Sequence, residues 1–202
     1  LFRDVIDRYP QYSPHVVKDF MLFLVDNVSR PVSMNKYYNS LKSKGISISK
    51  DTLYSLQENI ADTLYFYFVP IYSKSQRVRS VNPKKVYCVD NGLINCVSSS
   101  LENTGWLYEN SVFLHLYRNG YELSYFKGKN ECDFIALKDK EIIPIQVSLS
   151  PKDERELNGL REAMSFFKVK TGYIISSEIS EEITIEEGTI HIIPLWKWLV
   201  SF

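Results

Sequence analysis

The sequence predicts a mixed α+β chain built of two modules. Three observations carry that expectation. Apolar residues recur at helical spacing through the first sixty or so positions. From position 106 onward the pattern changes to helix, three closely spaced strands, helix, strand. The charge is also divided unevenly although the 202-residue chain is neutral overall. Residues 30–90 hold ten Lys and Arg against four acids, whereas residues 101–202 hold eleven against sixteen. A basic block beside an acidic one suggests modules with different partners.

The first module opens with a helical lead-in. Ser13-Pro14 starts a helix well, because Ser can cap and Pro suits the first helical position, where its missing N–H costs nothing. Val16, Val17, Phe20, Phe23 and Leu24 continue it to about Asn27, and Arg30-Pro31 breaks it. Ser33 caps a second helix with Tyr37, Tyr38 and Leu41 on its stripe, ending at Gly45. Ser49 caps a third, carrying Leu53, Leu56, Gln57, Ile60 and Ala61. Two short helices joined by a tight Gly-containing link read as helix-turn-helix.

Residues 64–72, LYFYFVPIY, are aromatic and β-branched and read as a strand. KSQRVRSVNP reads as a basic turn, and Lys85–Val89 as the returning strand. Helices followed by a hairpin with a basic tip resemble a winged helix. That resemblance implies DNA contact by the third helix, beginning at Lys50, with Lys74, Arg77 and Arg79 of the wing on phosphates. The third helix is otherwise poor in Lys and Arg, so a protein partner is an equal expectation.

VSSSLENTG at 97–105 is the one Ser/Asn/Gly-rich stretch, dividing the chain into 1–97 and 98–202. Trp106–Tyr117 then reads as a helix ending at Asn119-Gly120, with Glu109 among its apolar positions, where a carboxylate is costly to bury alone. Tyr121–Phe126, Cys132–Leu137 and Glu141–Val147 read as strands in sequential hairpins. Ser150-Pro151-Lys152-Asp153 has a capping pattern, and the helix it opens carries Leu157, Leu160, Met164 and Phe167. Gly172–Ser176 and Ile190–Pro194 read as strands, and Leu195–Phe202 as a terminal helix.

Within this second module, period-two alternation puts Gln146 and Ser148 on one strand face, and hairpin pairing brings that face beside Asp133. The αβββαβ order with Glu109, Asp133 and Gln146 resembles the restriction-endonuclease-like PD-(D/E)xK nuclease fold. Asp133 matches the motif's Asp and Glu109 its helical acid. Gln146 stands where the second carboxylate belongs, and Ser148 where the lysine belongs. The resemblance implies a Mg²⁺ site on Asp133 and Glu109; Lys152, four residues after Ser148, reads first as a solvated lysine of the helix's first turn and otherwise as a relocated substitute. The two departures point to a vestigial site.

Over its whole length the chain resembles the C-terminal region of prokaryotic AAA+-type ATPases. The run KVYCVDNGL, the helix WLYENSVFLHLYRNGYELSYF, and ECDFIAL and IIPIQVS carry the likeness. In that family a nucleotide-binding domain precedes a winged helix and a restriction-endonuclease-like domain. No GxxxxGK[ST] phosphate loop occurs here, so ATP is expected only in a preceding domain of the parent protein. The absence of an initiator Met also suggests a fragment of a longer protein.

The other expectations follow from composition. Cys88, Cys96 and Cys132 have no CxxC spacing, and His15, His115 and His191 no paired spacing, which argues against disulfides and zinc and for a cytoplasmic setting. There is no apolar run of membrane-spanning length, and no signal peptide is expected. The expected partners are therefore DNA, a partner protein such as the ATPase domain, or a second copy of the chain through an exposed aromatic patch at 64–72. The expected function is a binding module whose nuclease-like part no longer cuts, and the alternative is a Mg²⁺-dependent nuclease with an Asp/Gln site.

Overall fold

In a computed structural model of the chain, described at residues 2–97, 104–151 and 153–201, the fold is mixed α+β with two sheets. The elements run α1 (Phe2–Arg8), α2 (Pro14–Val25), β1 (Pro31–Val32), α3 (Met34–Ser43), α4 (Lys50–Asp62), β2 (Phe66–Val69), α5 (Gln76–Val81), β3 (Lys84–Cys88) and α6 (Asn91–Val97). They continue with α7 (Thr104–Arg118), β4 (Glu122–Lys127), β5 (Glu131–Lys138), β6 (Glu141–Val147), α8 (Glu154–Phe167), β7 (Thr171–Ser176), β8 (Glu181–Ile185), β9 (Gly188–Pro194) and α9 (Leu195–Ser201). The chain forms two compact units, one of Leu1–Phe68 with Asn82–Asn103, the other of Val69–Val81 with Thr104–Phe202. The boundary expected at 97–105 falls almost wholly on residues outside those described.

The first unit packs its helices around Phe20, Met21, Leu24, Leu41, Leu53, Leu56 and Ile60, all buried. Two of the three caps expected here are present: the Ser33 hydroxyl accepts from the Lys36 N–H at 3.4 Å and the Ser49 hydroxyl from the Thr52 N–H at 3.0 Å, whereas Ser13 stands at the N-cap position of α2 without a side-chain capping bond and Pro14 begins the helix. Gly45 follows α3 at φ 77°, a conformation in which a side chain would be strained, and this turns the chain toward α4. Tyr37 stacks on Phe23 at 4.1 Å and donates its hydroxyl to Asp19 at 2.7 Å, tying α3 to α2. A small sheet in the order β1-β3-β2 completes the unit, with β1 and β3 antiparallel.

The expected wing differs from the observed chain. β2 stops at Val69, and the segment expected as a basic turn contains α5. Pro70 is the physical reason: with no N–H it cannot extend the ladder, and the chain leaves the sheet there. Residues 69–81 group with the second unit, where Ile71 forms a parallel bridge to Tyr125 of β4. The Tyr72 N–H donates to the Tyr125 carbonyl at 2.7 Å, and the Tyr125 N–H donates to the Pro70 carbonyl at 3.0 Å.

The second unit is built on a six-stranded sheet ordered β4-β5-β6-β7-β9-β8. β4, β5 and β6 are successive antiparallel neighbours, β6, β7 and β9 are parallel, and β8 returns antiparallel to β9. α8 is the crossover between the parallel pair β6 and β7. One sheet face carries Ile135, Ile174, Ile190 and Ile192 against Leu160, Ala163 and Met164 of α8. On the other face Tyr173 packs on the buried Trp198 of α9 at 5.4 Å. Gly159 lets α8 approach β5, because a Cβ there would collide with the Glu131 carbonyl oxygen.

Two helix-start and strand expectations need correction. α8 is capped by Asp153, whose carboxylate accepts from the Arg155 N–H, rather than by Ser150. The acidic stretch at 181–185 forms β8, whose exposed Glu181 and Glu182 suit an edge strand. Among the described residues no helix is long and apolar enough to cross a membrane. Phe66 and Val69 are buried, so the aromatic strand does not form the exposed patch expected of it. The large exposed apolar side chains include Trp196 and Val200 of α9 and Phe166 of α8.

Candidate functional site

The β5–β6 ladder runs from the Lys138–Glu141 pair to the Phe134–Ile145 pair and stops. Asp133 and Gln146, the next residues facing each other, replace the backbone ladder with side-chain bonds. The Asp133 N–H donates to Gln146 Oε1 at 3.1 Å, and the Val147 N–H donates to Asp133 Oδ2 at 3.0 Å. β6 meanwhile stays paired with β7 through Gln146 and Ile174. Two strands thus part at the positions read from sequence as a site, and their side chains satisfy the backbone groups left there.

Asp133 is 7% exposed and Gln146 4% exposed, so both work largely out of water. The Gln146 side-chain amide N–H donates to the Glu156 carboxylate of α8. Burial is the main reason that the Glu156 carboxyl sits above its ordinary pKa, and the nearby Asp133 charge pushes the same way. The Gln146 hydrogen bond and the Arg155 charge oppose this more weakly. The result is a short polar chain, Asp133–Gln146–Glu156, across the carboxyl end of β6.

Glu156 was not singled out by sequence reasoning. It stands four residues before Leu160, on the inward stripe of α8, the same anomaly that marks Glu109 on α7. A carboxylate in an apolar stripe was therefore a signal present twice. Glu109 is buried on α7, a helix that lies against β4 and β6. Ser148 is buried as well, and its hydroxyl accepts from the Ser150 N–H at 3.1 Å, which closes the turn after β6. Lys152 lies outside the described residues.

Several donors around Asp133 are committed within the protein. Mg²⁺ demands near-octahedral oxygen ligands. Here Asp133 Oδ2 accepts a backbone N–H, Gln146 is neutral and bonded on both sides, and Ser148 serves a turn. Among the described residues no group of three or more His, Cys, Asp or Glu side chains is placed to hold a metal ion.

The residues expected on nucleic acid are distributed over both units. Lys50 begins α4 and lies over the Tyr38 ring at 5.3 Å. Lys74, Arg77 and Arg79 are exposed on the 69–81 segment, where the Arg79 guanidinium donates to the Ser73 carbonyl at 2.8 Å.

Residues 104–198 match the model of a domain of unknown function, DUF4143. The whole chain is 28% identical over 214 residues to an uncharacterized protein of Methanocaldococcus jannaschii and covers 48% of it. It is also 28% identical over 204 residues to an uncharacterized protein of Haemophilus influenzae, of which it covers 50%. The chain therefore spans about half the length of the curated relatives it matches. No solved structure matches it.

Proposed function

We propose that the chain is a binding module from the C-terminal part of an AAA+-like ATPase. In this reading residues 1–97 supply a winged helix, and residues 98–202 a restriction-endonuclease-like frame that no longer cuts. The commitment of Gln146 carries the reading: its amide is spent on the Asp133 N–H and the Glu156 carboxylate instead of being left for a ligand. The β4-β5-β6-β7 pairing with α8 as crossover has the order that the resemblance implies. In the relatives, the half that this chain does not match leaves room for a nucleotide-binding domain, where ATP would act.

For the winged helix, the exposed face of α4 favours a protein partner over the major groove. Asp51, Glu58 and Asp62 stand there against Lys50, and phosphates would be repelled. The DNA reading relies instead on Lys50 in the first unit and, separately, on Lys74, Arg77 and Arg79 in the second. Duplex titration at two salt concentrations separates the two. Binding with a steep salt slope, lost on Lys50→Ala, makes DNA the winged helix's partner, and its absence leaves the protein partner.

One observation favours the nuclease alternative: Glu156 brings a carboxylate beside Asp133 that the motif-bearing strand itself lacks. Plasmid and single-stranded DNA incubated with the chain and Mg²⁺ are expected to stay intact. Cleavage that disappears in a folded Asp133→Ala variant would overturn the binding-module reading.

A further inference from the structure

The aromatic side chains around Phe166 form a cluster on which neither the duplex-binding residues nor the Asp133 site draws. Phe166 is 58% exposed, yet its ring touches Phe126 at 5.1 Å, Phe167 at 4.9 Å and Tyr72 at 6.1 Å. Tyr72 also meets Phe167 edge-on at 4.6 Å. Three rings therefore hold the fourth in place while more than half of it stays in water. A large exposed apolar ring costs solubility, and one fixed by its neighbours loses little entropy on stacking against a ligand.

Exposed cations stand in sequence beside the rings of this cluster. Residues 69–81 hold Lys74, Arg77 and Arg79 and no acid, whereas the segments of Phe126, Phe166 and Phe167 mix their cations with Glu122, Glu131, Glu154, Glu156 and Glu162. Exposed Lys74 and Arg77 follow Tyr72, exposed Lys129 follows Phe126, and exposed Lys168 and Lys170 follow Phe167. Lys168 is the most telling. It ends α8 at φ 57°, ψ 37°, a left-handed position where glycine is cheapest, and a lysine is held there despite the strain. Alongside Tyr72, a cavity of about 120 Å³ has Arg79, Ser73 and Glu122 on its wall and Ile135 and Leu137 among its apolar lining.

We propose that this surface binds single-stranded nucleic acid, with a base stacked on Phe166 and the neighbouring lysines and arginines on phosphates. Aromatic platforms set among cations are what strand binding without base pairing requires, because every base has a stacking face and every linkage a charge. A duplex hides those faces, so the single strand is preferred. The surface lies within the second unit and shares Lys74 and Arg77 with the duplex reading of the winged helix, so Phe166 and Lys168, which that reading does not use, are the residues that separate the two.

The test uses the full 202-residue chain and a fluorescein-labelled dT20 strand, read by anisotropy at 50 and 200 mM salt. The expected result is binding whose log–log salt slope is about −3, as contact with roughly four phosphates would give. Phe166→Ala and Phe166→Leu should each weaken binding about tenfold, and Phe166→Trp should preserve it. Lys168→Gly should weaken binding several-fold while raising the melting temperature, since it relieves the left-handed strain. Absence of binding by the folded chain would overturn the proposal. So would unchanged affinity in Phe166→Ala, a Leu variant equal to wild type, or equal affinity for a polyglutamate peptide, which would point to an acidic protein instead.

Discussion

Asp133 and Gln146 cap each other's strands: the Asp133 N–H reaches the Gln146 side chain, and the Asp133 side chain receives the N–H of the residue after Gln146. The exchange lets β5 and β6 separate without leaving backbone groups unpaired in a buried place. It also explains why a neutral glutamine is useful there. An amide offers an acceptor to one neighbour and a donor to the next, and a carboxylate would face Glu156 as a like charge.

Gln146→Ala should therefore destabilise the second unit by roughly 2 kcal/mol, since it strips partners from a buried N–H and a half-buried carboxylate. Chemical denaturation followed by the near-ultraviolet signal of the three tryptophans, Trp106, Trp196 and Trp198, all in this unit, checks this. Gln146→Glu should also destabilise at neutral pH, and the loss should shrink on acidification as one of the paired carboxyls takes a proton.

Glu156→Gln should have the opposite sign. The folded protein raises the Glu156 pKa, so it binds this proton more readily than the unfolded chain, and stability falls as pH rises through the carboxyl range. Removing the charge should raise the melting temperature at pH 7, by about 2–4 °C for a gain of about 1 kcal/mol. The difference from wild type should vanish below the unfolded carboxyl pKa, where both states are protonated. Melting curves at pH 4 and pH 7 supply the test.

Glu162 provides the contrasting case on the same helix. Its carboxylate accepts the N–H groups of Lys129 at 2.8 Å and Asn130 at 3.0 Å, fastening α8 to the β4–β5 turn. These backbone bonds, that of Asn130 foremost, lower its pKa. The stabilisation is complete above the unfolded carboxyl pKa and is lost as pH falls through the lowered value. Glu162→Gln should cost at most about 1 kcal/mol at pH 7 once solvent screening is discounted, and progressively less as pH falls through the lowered value, the reverse of the Glu156 profile.

Gly159→Ala probes how closely α8 lies on β5. Alanine normally favours a helix, but its methyl group here meets the Glu131 carbonyl oxygen. A loss of about 1–3 kcal/mol is expected. A gain in stability would mean that the helix sits farther from the sheet.

Much of this architecture was legible in the sequence because its signals are local. Ser33, Ser49 and Gly45 mark helix ends through bonds within one turn, and the three strands around Asp133 are bounded by polar turns. The pairing of Asp133 with Gln146 followed from hairpin alternation alone. What failed depends on distant partners. The strand at 64–72 looks continuous by composition, yet Pro70 ends it and Ile71 pairs instead with Tyr125, more than fifty residues away. β8 carries too many exposed acids to resemble a strand until β9 is seen beside it. Glu156 escaped notice because a first-turn acid is so commonly explained by the helix dipole.

The Pro70–Tyr125 and Tyr72–Tyr125 backbone bonds bear on how this polypeptide can be divided. A clone starting at Thr104 would satisfy the matched family boundaries yet omit a stitch on the outermost β4 strand and the ring that steadies Phe166 and Phe167. Such an excised piece would present raw backbone along one border and invite edge-to-edge aggregation. Workable dissection must carry residues 69–81 along with the C-terminal half, by grafting or permutation, because sequence neighbours and structural companions are different sets here.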